Sequence, residues 1–120
     1  MTTINRDELL RFYSELEEKA EIMNSFKTLE NNLKECDWIL EDAIELIAVE
    51  KGDSVLMGDS LLDDLVEKTR KYLCKPKTKE CWNSVKDILE IISPAFPAPG
   101  PIIIGCVLKL SKIGLKNLCE

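Results

Sequence analysis

Between Phe26 and Ile47, apolar residues recur at intervals of three and four: Phe26, Leu29, Leu33, Cys36, Leu40, Ala43 and Ile47. Residues at that spacing share one side of an α-helix. The run therefore predicts a long helix with one buried seam, ending near Glu50 and packed on other helices.

The same reading extends along the chain. Asn5 is placed to cap a first helix, with Asp7 and Glu8 at its positive end. Leu9, Phe12, Leu16, Ala20 and Met23 mark its inward stripe, and Leu10 and Tyr13 widen it. The rhythm changes at Lys19 and around Asn24, which predicts a break there, with Ser25 capping the second helix; a continuous helix is the alternative. Lys51-Gly52-Asp53-Ser54 stops the second helix. Val55, Leu56 and Met57 bridge to Gly58. Asp59 or Ser60 then caps a third helix with Leu62, Leu65, Val66, Thr69 and Leu73 inward. Lys75-Pro76-Lys77 ends that helix, because the residue before proline disfavours helical angles. Thr78 is placed to cap a fourth, with Trp82, Val85, Ile88, Leu89 and Ile92 on its apolar face. Four prolines between Pro94 and Pro101 predict a stiff connector over residues 93–101. A fifth helix follows from about Ile102 to Leu118. No strand-like alternation or internal repeat is present. The expected fold is all-α: a compact bundle of four or five helices in one domain, residues 1–120.

Charge changes this picture by its distribution. The net charge is −6, but residues 1–50 carry 5 basic and 13 acidic side chains and residues 71–120 carry 8 and 4. An acidic front argues against nucleic acid as a partner and favours a protein with a basic surface. Glutamates that merely solubilise helices would give the same count.

Several chemistries lack their residues. The chain has no histidine, so no Ser-His-Asp or Cys-His pair can form within it. Gly52 and Gly58 lie in separate turns without a phosphate-loop lysine pattern. Cys74 and Cys81 are spaced too widely for an ordinary zinc pair; a redox pairing of the two across Pro76 is the stronger alternative. Asp63-Asp64 and Glu17-Glu18 are adjacent on helices and point about 100° apart, so neither pair converges on one substrate. No catalytic residue, metal or cofactor is expected. Five cysteines without a signal-like start suggest reduced thiols, no disulfide and a cytoplasmic setting.

Two surfaces remain as candidates. Glu35, Trp38, Asp42, Glu45 and Val49 repeat the three-four spacing on the side of the second helix opposite the seam. A tryptophan among carboxylates suits a partner with a basic rim and an apolar pocket; burial of Trp38 under another helix is the competing possibility. Lys109, Lys112 and Lys116 form a narrow basic stripe beside the wide apolar face of the last helix. That stripe suits either a membrane-associated segment or a core helix with one edge in water. Ile91–Leu108 is uncharged over eighteen residues, but its prolines break a membrane span. The stripe could also meet Glu35, Asp42 and Glu45 internally. The function expected from these features is a non-enzymatic protein-interaction module, of adaptor or immunity-inhibitor type. A membrane-associated protein using its C-terminal segment is the alternative.

Overall fold

A computed structural model describes residues 2–16, 20–50 and 60–120, with the side chains of Ala20, Glu21 and Ser60 excepted. These residues form seven α-helices and a closing 3-10 turn: α1 (Arg6–Glu15), α2 (Ala20–Glu35), α3 (Leu40–Glu50), α4 (Ser60–Leu73), α5 (Pro76–Lys79), α6 (Val85–Ala95), α7 (Gly100–Ile113) and the turn Leu115–Asn117. Among the described residues the only strand-like contact is one antiparallel bridge between Thr3 and Ile39. The predicted stop at 51–54, the bridge at 55–58 and the Asp59 cap lie outside the described residues.

The long seam is real, but its helix is not continuous. Asp37 and Trp38 both adopt left-handed backbone angles, with φ of 54° and 62°. The Trp38 amide bonds back to the Leu33 carbonyl at 2.8 Å and closes α2, after which Leu40 opens α3. Phe26, Leu29 and Leu33 on α2 and Leu40, Ala43 and Ile47 on α3 are all buried in one core; Cys36 at the joint is half-buried. A turn between Cys36 and Leu40 preserves the four-residue interval, so the pattern runs through a chain reversal that it does not announce.

The expected fourth helix is divided too. Pro76 starts the single turn α5, and α6 begins later, capped by Ser84 instead of Thr78. The Ser84 hydroxyl accepts from the Asp87 amide at 3.2 Å, while Asp87 accepts from the Asn83 amide at 3.2 Å. This reciprocal pair fixes the start of α6 as a capping box does. At the front, Asn5 caps α1 as its position suggests, accepting from the Glu8 amide at 2.8 Å. Ser25 caps nothing; it lies inside α2, which starts at Ala20. Leu10 is 44% exposed and does not widen the buried stripe.

The connector is shorter than residues 93–101. Pro94 sits in the last turn of α6, and Pro101 in the first turn of α7, where a missing N–H costs little. Only Phe96–Pro99 lie between the two helices.

Helix α7 is the centre of the fold. It packs on α2, α3, α4 and α6, and every residue from Pro101 to Leu108, with Leu110, is buried. Gly105 permits this close approach: a Cβ there would lie 2.3 Å from Ile44 Cδ1 on α3. Gly114, at φ of 99°, ends the helix in a conformation that suits glycine. Among the described residues no helix is long and apolar enough to cross a membrane.

A disulfide joins Cys74, just past α4, to Cys119, 45 residues later. This corrects the expectation of five free thiols. The 3-10 turn returns the chain to α4, where Arg70 Nε donates to the Leu118 carbonyl at 3.2 Å and Leu118 enters the core. Cys36, Cys81 and Cys106 remain free. Cys106 is buried and Cys81 is exposed. The alternative pairing of Cys74 with Cys81 does not occur either, and a cytoplasmic setting inferred from free thiols loses that support.

Candidate functional site: an acidic corner at the α2–α3 turn

The two candidate surfaces have different fates. Lys109 on α7 reaches between α3 and α4. Its ammonium is 3.0 Å from Glu41 Oε2 and in direct contact with Asp63 Oδ1. Glu41 is buried, and its other oxygen accepts from the Thr2 amide. Burial pushes the Glu41 carboxyl up, but the hydrogen bonds from Thr2 and Lys109 outweigh it and hold the group down at about 2. For Lys109, burial lowers the pKa, and the bonds to Asp63 and Glu41 raise it further than burial lowers it. Lys112 pairs with Glu8 at 3.0 Å and donates to the Thr3 carbonyl at 2.8 Å. Lys116 lies beyond α7, exposed in the closing turn. The stripe is therefore not one surface. Two of its lysines fasten the N-terminal segment, α1, α3 and α4 to α7. Their partners are Glu41, Asp63 and Glu8, not Glu35, Asp42 and Glu45.

Sequence reasoning missed Glu41. Nothing in the local pattern separates it from its neighbour Asp42; only the fold places one inside and one outside.

The second set gathers differently from the helical face first expected. Glu35 is the last residue of α2, Trp38 is in the turn, and Asp42, Glu45 and Val49 are on α3. Glu35, Trp38 and Asp42 lie at or next to the α2–α3 turn, while Val49 lies in the last turn of α3, about 10 Å further along at 1.5 Å per residue. Glu35 and Asp42 are exposed, and so are Asp37 and Glu50, which the sequence reading did not select. These four carboxylates form no ion pair among the described residues. Burial first, then Asp42, Glu35, Asp37 and Glu50, push the Cys36 thiol up, so all four act on one point. Glu45 is half-buried.

Trp38 is half-buried against the core, and its carbonyl accepts from the Ile4 amide at 2.9 Å. Left-handed angles are uncommon for a bulky residue and are held only by surrounding structure. Val49, at 61%, is the most exposed of the large apolar side chains among the described residues. It follows Asp42 by seven residues, two helical turns, and so lies above it on the same side of α3.

Two of the carboxylates are placed against the fold's interest. Glu35 ends α2 and Glu50 ends α3, and the C-terminal end of a helix disfavours negative charge. Lys34 shares the last turn of α2 with Glu35, but neither carboxylate forms an ion pair among the described residues.

Among the described residues no group of three or more histidine, cysteine, aspartate or glutamate side chains is arranged to hold a metal ion. Comparison with protein-family models, curated proteins and solved structures finds no significant match.

Proposed function

We propose that the chain is a non-enzymatic interaction module, an adaptor or an inhibitor, that docks a protein with a basic surface onto the α2–α3 corner. The observation that carries this reading is the unpaired charge: Glu35, Asp37, Asp42 and Glu50 are exposed and form no ion pair among the described residues, and two of them are at helix ends that disfavour them. Charge held at a cost to stability is characteristic of surfaces kept for binding. Val49 on α3 and the open part of Trp38 at the turn offer apolar surface to such a partner beside the carboxylates. Steering by complementary charge would set the association rate and its salt dependence.

The alternative, membrane association through the C-terminal segment, would require α7 to leave its place. The residues that would enter lipid, Ile102–Leu108 and Leu110, are the buried centre of the fold, and Lys109 is held by two carboxylates.

Site-specific photocrosslinking in the native host tests the reading. A crosslinker at Val49 should give one discrete adduct, and one at Lys71 on α4 should give none. Glu35→Lys with Asp42→Lys should abolish the adduct. An adduct indifferent to that charge reversal, or equal trapping at both positions, would reject the acidic corner as the docking surface.

A further inference from the structure

A cleft of about 310 Å³ opens between α2, α6 and α7. It sits near Ser25, roughly 15 Å back along α2 from Glu35 at 1.5 Å per residue, so it is separate from the acidic corner. Leu89, Ile103 and Ile104 line it from within the core, with Ile22 and Ala98 beside them. Three polar side chains reach it: Ser25, Glu90 and Ser93. None of the three forms a side-chain hydrogen bond or ion pair with another described residue. An apolar cavity with a few convergent polar groups is the usual form of a small-molecule site.

Two helix ends decide which charge it accepts. Pro94 lies inside α6 and has no N–H, so the Glu90 carbonyl lacks its helical donor. The last turn of α6 therefore adds negative partial charge beside the Glu90 carboxylate. A helix start would ordinarily counter this with several free amides, but in α7 only the Gly100 amide is left for that role. Pro101 has no N–H, and the Ile102 and Ile103 amides both bond to the Pro99 carbonyl, at 3.0 and 3.1 Å. Acceptors exceed donors around the cleft. Gly100 stands against the Ser25 hydroxyl: a Cβ there would lie 2.3 Å from Ser25 Oγ.

We propose that this cleft is a binding site for a small primary aliphatic amine. The alkyl chain lies on Leu89, Ile103 and Ile104. The ammonium donates to the Glu90 carboxylate and to the hydroxyl oxygens of Ser25 and Ser93. An ammonium has three donors and no acceptor, which matches a cleft rich in acceptors; a carboxylate of the same length would meet Glu90 as a like charge.

Methyl NMR of the full chain, labelled at isoleucine, tests this with three probes of one length: hexylammonium, hexanol and hexanoate. Hexylammonium should shift the methyls of Ile22, Ile103 and Ile104 saturably and bind at least tenfold more tightly than hexanoate. Glu90→Gln, at an exposed position that the fold tolerates, should remove that preference while hexanol binding stays unchanged. Equal binding of the three probes, no saturable shift at these methyls, or a preference that survives Glu90→Gln would each overturn the proposal. None of these outcomes depends on the acidic corner.

Discussion

At the α7 end of the molecule, Lys109 and Lys112 are held by Glu41, Asp63 and Glu8. On α2, α3 and the turn between them, Glu35, Asp37, Asp42 and Glu50 face water and form no ion pair among the described residues. The first region uses charge to fasten elements far apart in sequence. The second leaves charge unused by the fold. The difference shows why net charge along a sequence is a poor guide to surfaces: two lysines of the basic rear, Lys109 and Lys112, are taken up by internal ion pairs, and the acidic front divides into a structural part and a free part.

The contrast is broken first at Lys109. Lys109→Met leaves the buried Glu41 carboxylate without its cation, and breaking such a pair by removing one partner costs about 3–5 kcal/mol. Urea unfolding measures the loss. A cost below about 1 kcal/mol would place Lys109 among surface pairs and erase the distinction between the two regions.

Acid should expose the same network. The Glu41 carboxyl titrates near 2 in the fold, against 4.5 ordinarily. Its contribution is fully present above pH 4.5 and disappears as pH falls toward 2. The span corresponds to about 3 kcal/mol. Stability measured from pH 6 to pH 2 should fall in that window, and Glu41→Gln should flatten the fall. A wild-type profile that Glu41→Gln leaves unaltered would show that other carboxylates govern acid unfolding.

The Cys74–Cys119 disulfide closes the third long-range connection. Cys119→Ser should cost about 2–4 kcal/mol, the usual range for a bridge over a loop of this size. Thermal melts with and without reductant should differ in the native protein and coincide in the variant. Coincident melts in the native protein would show that the bridge does not stabilise the fold.

A smaller effect belongs to the corner itself. Asp37 is exposed with a positive φ, which glycine adopts without strain. Asp37→Gly should therefore stabilise by about 0.5–1 kcal/mol while removing one of the four charges. Destabilisation would mean that the Asp37 side chain supports the turn.

Much of the helical content was legible in the sequence, because apolar spacing reports which residues share a side. Leu29, Leu33, Leu40, Ile47, Val85 and Leu89 are buried where the spacing puts them, while Tyr13, Met23, Cys36, Leu65 and Trp82 are half-buried and Leu10 is exposed. The joint between α2 and α3 was not legible. The turn costs four residues from Cys36 to Leu40, the same interval as one helical turn, and Trp38 carries no signal for a left-handed conformation. The division of α5 from α6 was missed for a related reason: Thr78 and Ser84 are both acceptable caps, and the Asp87 that selects Ser84 acts through geometry. The partners of the lysines and of Cys74 lie between 45 and 109 residues away, beyond any local pattern. At the acidic corner the residue types were legible and their arrangement was not, since Glu35 and Asp42 belong to different helices.

The central claim, that the corner's charge serves binding and not folding, is tested most directly by the unfolding free energy of Glu35→Gln with Glu50→Gln. Each carboxylate ends a helix at the pole that disfavours it, so each neutralisation should stabilise the protein by about 0.3–1 kcal/mol. Equal or greater stability in urea is the predicted result. A loss of more than about 1 kcal/mol would mean that these charges hold the fold together, and would contradict the account.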